Sequence, residues 1–278
     1  MSKGMLIDLT KCIGCRACQA ACKQWNGLSA ETTQNNGSMQ NPPRFSANTW
    51  TLVTFNEVEY QDKFAWVFAK RQCMHCEHPA CVSACTVGAL KKSAEGPVVY
   101  DAEKCIGCRY CQYACPFQVP TCEWQNTLSL IRKCTMCADR QAEGLTPACA
   151  KTCPTGAIQF GERDDLLTEA RARIAARADE YIDHIYGEYE VGGTSMMYLS
   201  AVPFVQLGFP ELGNEPATQA AESIMQQTPT IAFGVAAVAS GLYWILKRRQ
   251  QQAGVKSAEA ATAEVAAGEG AKQEGGKS

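Results

Sequence analysis

Four groups of four cysteines, with one left over, account for all 17 cysteines of a 278-residue chain. Cys12, Cys15, Cys18 and Cys22 are spaced C-x2-C-x2-C-x3-C, and Cys105, Cys108, Cys111 and Cys115 repeat that spacing with Pro116 behind the last. Three thiolates from such a loop converge on one small iron–sulfide cage while the loop's backbone N–H groups face the sulfides, and the fourth cysteine serves the other cage of a pair. The remaining groups depart from this signature. Cys73, Cys76, Cys81 and Cys85 have four residues before the third cysteine and Thr86 in place of proline, whereas Cys134, Cys137, Cys149 and Cys153 have eleven but keep Pro154. A single C-x-x-C suits zinc or a redox dithiol as well as a cluster. Four quartets carrying the x3-C member point to iron–sulfur clusters, and a disulfide framework belongs mainly to short secreted chains.

Other candidates carry less. Cys122 fits no quartet and reads as a structural thiol; His75 and His78 read as loop histidines satisfied by water. Arg16, Arg109, Arg132 and Lys133 sit beside ligands, where they either offset cluster charge or are ordinary solvated side chains. No Ser-His-Asp set, phosphate loop or paired carboxylates stand out, so no catalytic residue is assigned. Electron transfer needs none, since the protein tunes and spaces its centres. The formal charge of −2 gives no basic field for nucleic acid.

The elements that must position these cysteines follow from repeats and patterning. Gly4–Cys22 resembles Pro97–Cys115, and the segment from Lys70 echoes that from Ile131, so the chain reads as two ferredoxin-like double-cluster modules within an α+β fold. Residues 34–46 read as a loop. The runs 49–60 and 63–70 read as a β-hairpin turning at Gln61-Asp62. Leu166, Ala170, Ile174 and Ala178 lie at helical spacing in an amphipathic helix over 164–185. Gly187–Gly213 is expected to be an irregular segment that wraps a surface, its own or a partner's. Pro229–Leu246 carries no charge and is followed by Lys247, Arg248 and Arg249, long enough at 1.5 Å per residue to just span a bilayer. A buried core helix is the other reading of that run. The expected division is 1–160 for the cluster modules, 161–228 for helix and wrap, 229–246 for a transmembrane helix and 247–278 for a disordered tail. Met1–Thr10 shows no secretory signal before the first cysteine.

With CIGCRACQAACKQWN, QCMHCEHPACVSAC, CIGCRYCQYACPFQVP, GLTPACAKTCPTGAI and YGEYEVGGTSMMYLS in view, the chain resembles the four-cluster iron–sulfur subunits of the molybdopterin oxidoreductase superfamily, and within it the beta subunit of membrane-bound formate dehydrogenase. The resemblance implies four 4Fe-4S clusters. It assigns one to Cys12, Cys15, Cys18 and Cys153, a second to Cys22, Cys134, Cys137 and Cys149, a third to Cys73, Cys76, Cys81 and Cys115, and a fourth to Cys85, Cys105, Cys108 and Cys111. It further implies a molybdenum or tungsten pterin catalytic subunit as electron partner and a membrane cytochrome b that reduces quinone. Positive charge after the apolar run would then place the tail in the cytoplasm and the clusters in the periplasm, on one pass through a bacterial inner membrane. The electron-transfer subunit of a membrane-bound nickel–iron hydrogenase and a free polyferredoxin are the competing readings, with a zinc-binding interaction protein third.

Overall fold

The computed structural model describes residues 2–34, 37–124, 126 and 129–270. Residues 35 and 36 of the expected loop and 271–278 of the expected tail therefore lie outside the described residues. In chain order the elements are β1 (Lys3–Asp8), α1 (Ala17–Trp25), β2 (Leu52–Tyr60), β3 (Lys63–Arg71), α2 (Ala80–Ser83), β4 (Leu90–Lys92), β5 (Val98–Tyr100), α3 (Tyr110–Ala114), β6 (Thr121–Cys122), β7 (Ile131–Arg132), α4 (Ala138–Ala142), α5 (Ala148–Lys151), β8 (Ile158–Glu162), α6 (Arg163–Ala176), β9 (Met196–Leu199) and α7 (Gln219–Gly270). They divide into two units, Met1–Gln219 and Ala220–Ser278.

The first unit is built on a three-stranded sheet ordered β8-β1-β9, with β1 antiparallel to β8 and parallel to β9. Successive side chains of a strand point to opposite faces. Met5 and Ile7 of β1 therefore join Met196 and Tyr198 of β9 in the core that holds most of the cysteines, while Leu6, Met197 and Leu199 face Leu166, Leu167 and Ala170 of α6. Helix α6 is the amphipathic helix read from the sequence, but it stops at Ala176, so Ala178 lies past its end. The segment expected to be irregular is regular in part. Within 187–213 lies β9, whose four residues are wholly buried, because Met-Met-Tyr-Leu is an apolar run suited to a strand with both faces covered.

The hairpin β2–β3 pairs from Leu52↔Arg71 to Tyr60↔Lys63. Its two-residue turn, Gln61-Asp62, has positive φ at both positions, as a twist-matched tight hairpin requires. Smaller ribbons, β4–β5 and β6–β7, frame the two middle cysteine groups.

Helix α7 forms the second unit. It begins ten residues before Pro229 and continues well past Arg249 into the stretch expected to be disordered, consistent with the Ala, Glu, Gln and Lys found there being strong helix formers. Within it, Met225–Gly254 is long and apolar enough to cross a membrane, and its apolar window buries nothing inside the protein; Phe233 is 78% exposed. A buried core helix is therefore not what the chain forms.

Candidate metal centre

The chain feeds each cysteine group into a tight loop, and all four loops share one backbone device. The residue before the second cysteine lies in the left-handed region: Gly14 (φ +67), His75 (φ 49), Gly107 (φ +70) and Met136 (φ 56). Such a turn folds the backbone around a point, and glycine adopts it without a Cβ penalty. In the first and third loops the residue after the second cysteine, Arg16 or Arg109, is also left-handed and begins the helix that carries the third cysteine. Asp8 anchors the approach to the first loop. It is fully buried, accepts hydrogen bonds from Thr10 and from the Tyr181 hydroxyl (2.9 Å), and pairs with Arg173 at 3.1 Å.

Space pairs the groups differently from sequence order. Strand β1, which leads into the first group, lies beside β8, which follows the fourth. Cys12, Cys15, Cys18 and Cys153 line one enclosed cavity together with Lys70, Val53 and Ile158. Burial pushes the Cys18 thiol up to about 12, with Lys70 opposing and Cys149, Cys12 and Cys15 adding to the rise. Burial likewise raises Cys22, beside Cys149, and Cys137, which goes to about 11 beside Cys149 and Cys22. Cys134 is raised most by burial and then by Cys22, Cys73 and Cys149. The middle groups meet in the same crossed way. Burial raises Cys76, next to Cys73, Cys115 and Cys81, and lifts Cys111 to about 12 beside Cys105, Cys108 and Cys85. At Cys105 and Cys153 burial is outweighed, by the Tyr100 and Thr155 hydroxyls and by nearby backbone N–H groups, so both thiols fall below their ordinary value.

The donor set fits a multi-iron cage. All 17 thiols are free. Among the described residues no three of His, Cys, Asp or Glu converge closely enough to hold a single metal ion, whereas a zinc site gathers its sulfurs within about 2.3 Å of one centre.

Two family models match the chain. A 4Fe-4S dicluster model matches residues 11–89 and a second 4Fe-4S dicluster model matches 64–163. The formate dehydrogenase-O iron-sulfur subunit of Escherichia coli is 43% identical over 212 residues, covering 74% of this chain and 70% of that protein. The chain belongs to the family of formate dehydrogenase iron–sulfur subunits. The formate dehydrogenase iron-sulfur subunit of Haemophilus influenzae is 41% identical over 198 residues, covering 70% of this chain and 63% of that protein. The hydrogenase-2 operon protein HybA of Escherichia coli O157:H7 is 34% identical over 279 residues, covering 89% and 84%. As a member of this family, with two dicluster domains, the chain is an electron-transfer iron–sulfur subunit of formate dehydrogenase or hydrogenase-like complexes.

Several side chains stand elsewhere than their sequence positions suggest. His75 is a core residue, fully buried, whose Nδ1 accepts from the Val98 N–H at 2.8 Å. Burial, followed by the charges of Lys133, Lys92 and Lys70, holds it well below the usual histidine value, so it is neutral. Lys133 is also buried rather than solvated, donating to the Val98 carbonyl at 2.5 Å and the Cys134 carbonyl at 3.0 Å. Arg16 stacks on Phe55 and Arg109 on Trp124, while Arg132 pairs with Glu123 at 2.5 Å. Cys122 is buried, its thiol donating to Gln112 Oε1 at 3.0 Å. Sequence reasoning missed Lys70. Its signal was present: Phe64, Trp66, Phe68 and Lys70 share one face of β3, and a lysine at the buried end of an aromatic face needs an anion.

Proposed function

We propose that this chain relays electrons through four 4Fe-4S clusters, from a molybdenum or tungsten pterin subunit that oxidises formate to a membrane cytochrome b that reduces quinone. The observation that carries the reading is the crossed grouping of thiols, first with fourth and second with third, around separate centres. On this proposal one cluster is held by Cys12, Cys15, Cys18 and Cys153, the next by Cys22, Cys134, Cys137 and Cys149, a third by Cys73, Cys76, Cys81 and Cys115, and the last by Cys85, Cys105, Cys108 and Cys111. Bound there, such a cluster accepts and gives up single electrons.

The protein's own part is to hold, space and shield. The cysteines give up their thiol protons as they bind iron, which burial opposes at Cys18 and Cys81 (each about 12) and hydrogen bonding favours at Cys105 and Cys153. Cys134 lies near Cys73, so the two pairs adjoin there.

Residues 1–160 are assigned to the cluster modules, 161–228 to the helix and wrapping segment, 229–246 to a single transmembrane helix and 247–278 to a cytoplasmic tail. A charge-free helix satisfies its own backbone hydrogen bonds in lipid. Lys247, Arg248 and Arg249 keep the following end inside, which puts the clusters in the periplasm. Hydrogenase is the second reading, favoured by the greater share of this chain that HybA covers. Mass spectrometry of the co-purifying subunits separates them.

The deciding experiment is iron analysis with a ligand variant. Anaerobically purified chain is expected to hold about sixteen irons, four per cage. Cys22→Ser should damage the centre shared with Cys134, Cys137 and Cys149 and spare that of Cys12, Cys15 and Cys18. About eight irons with zinc making up the rest, or loss confined to the Cys12 centre, overturns the assignment.

A further inference from the structure

Lys70 is 1% exposed, lines the cavity formed by Cys12, Cys15, Cys18 and Cys153, and its Nζ has no hydrogen-bond partner among the described residues. Its backbone is fixed by pairing with Val53 across the hairpin, so the side chain enters the core from a rigid strand. A buried ammonium without an anion costs several kcal/mol by general estimates of ion desolvation. The ionisable groups around Lys70 include Cys149, Cys18, Tyr198 and Cys134, with Cys12, Cys22 and His75 also near it. With its buried Nζ given no hydrogen-bond partner, Lys70 calls for an anion among these thiols.

We propose that Lys70 is a positioning charge for the relay: its buried ammonium, set between the Cys18 and Cys149 centres, raises the reduction potential of both clusters of the first–fourth pair and leaves the second–third pair unaffected. The inference rests on the four-cluster reading above. The step concerned is transfer of one electron from donor to acceptor, with no bond made or broken and no proton moved. A fixed positive charge favours the partner that has gained the electron, because reduction adds negative charge beside it. Lys133 differs: its Nζ is already engaged by two carbonyls, so its charge is partly spent on the backbone.

The test is an EPR-monitored redox titration of the anaerobically purified full chain carrying Lys70→Met, with Lys70→Gln and Lys70→Arg beside it and iron content measured on each. With full iron, Met and Gln should lower the reduced-to-oxidised ratio of two clusters at least tenfold at a given potential, about 59 mV for a one-electron couple. The other two should not move, and Arg should restore most of the shift. Unmoved potentials, an equal shift in all four, or a shift that Arg shares overturns the proposal. So does loss of iron from all three variants, which would make Lys70 a residue of assembly and not of tuning. A wild-type chain holding far fewer than about sixteen irons would instead sink the four-cluster reading itself.

Discussion

The half of the first unit that holds the first and fourth cysteine groups and the half that holds the second and third are variations on one plan with different supports. The former rests on a three-stranded sheet whose two faces are both covered, by α6 and by the cysteine core. The latter has short ribbons, two short helices and a small cluster of Leu90, Val98 and Ile131 with several cysteines, and it reaches the larger core through Cys73, Met74, Phe117 and Val119. The first and third loops alike leave their second cysteine, Cys15 or Cys108, exposed, but beside the third Tyr110 and Tyr113 also lie on the surface, Tyr113 at 83%. The lesson concerns what holds a cluster loop in place. Where a sheet and helix are available the loop is pinned from behind, and where they are not, the cysteines are themselves a large part of the core.

Removing the support should therefore separate the halves most. Tyr198 is wholly buried in β9, its ring 5.0 Å from Phe209 and 6.5 Å from Tyr186. Tyr198→Ala is expected to cost about 3–5 kcal/mol, as large-to-small aromatic changes do. Guanidinium unfolding of the iron-loaded chain should show the EPR signals of the first–fourth pair lost first. If Ile131→Ala, in the other half, releases that same pair at the same denaturant concentration, the halves are one cooperative unit and the comparison fails.

The junction comes next. Gly96, between β4 and β5, has φ +111, and an added Cβ would lie 2.3 Å from the Lys3 carbonyl oxygen. The Lys3 N–H donates to the Glu95 carbonyl at 2.9 Å there, so this turn joins the halves. Gly96→Ala should destabilise by about 1–3 kcal/mol through strain and lost contact. Limited proteolysis should cut between the halves faster; an unchanged digestion rate would show that they do not depend on this turn.

Two smaller effects sharpen the contrast. Replacing Gln61-Asp62 by Asn-Gly relieves two left-handed residues in the hairpin turn and should stabilise the first–fourth half by up to about 1 kcal/mol, read as a raised unfolding midpoint. Cys122→Ser should leave the iron content unchanged, because a serine hydroxyl retains the bond to Gln112. A loss of about four irons would make Cys122 a ligand after all.

Much of this was legible in the residues. The quartets, the hairpin and its turn, and the apolar terminal run all follow from local spacing, and local spacing survives folding. Strand β9 was not legible, because glycines and prolines on either side of Met196–Leu199 speak for a loop while its partner β1 lies far away at the start of the chain. The burial of His75 and Lys133 was hidden for a similar reason. Both are tied to the backbone of Val98, a contact across sequence that no periodicity reports. The end of α6 fell short of the pattern because the chain turns at Arg177 to send Tyr181 back to Asp8.

The pairing of β1 with β8 and β9 makes the chain nested, with the residues of the second and third groups enclosed in sequence between the two parts of the other half. During synthesis the inner half is complete once residue 132 has emerged, while β1 and the first cysteine loop still wait for partners more than a hundred residues downstream. Domains fold as their residues become available. The order in which the two halves can fold is thus written into the topology, inner before outer, and a stalled or truncated translation product ending before β9 carries an N-terminal cysteine loop without β9 behind it.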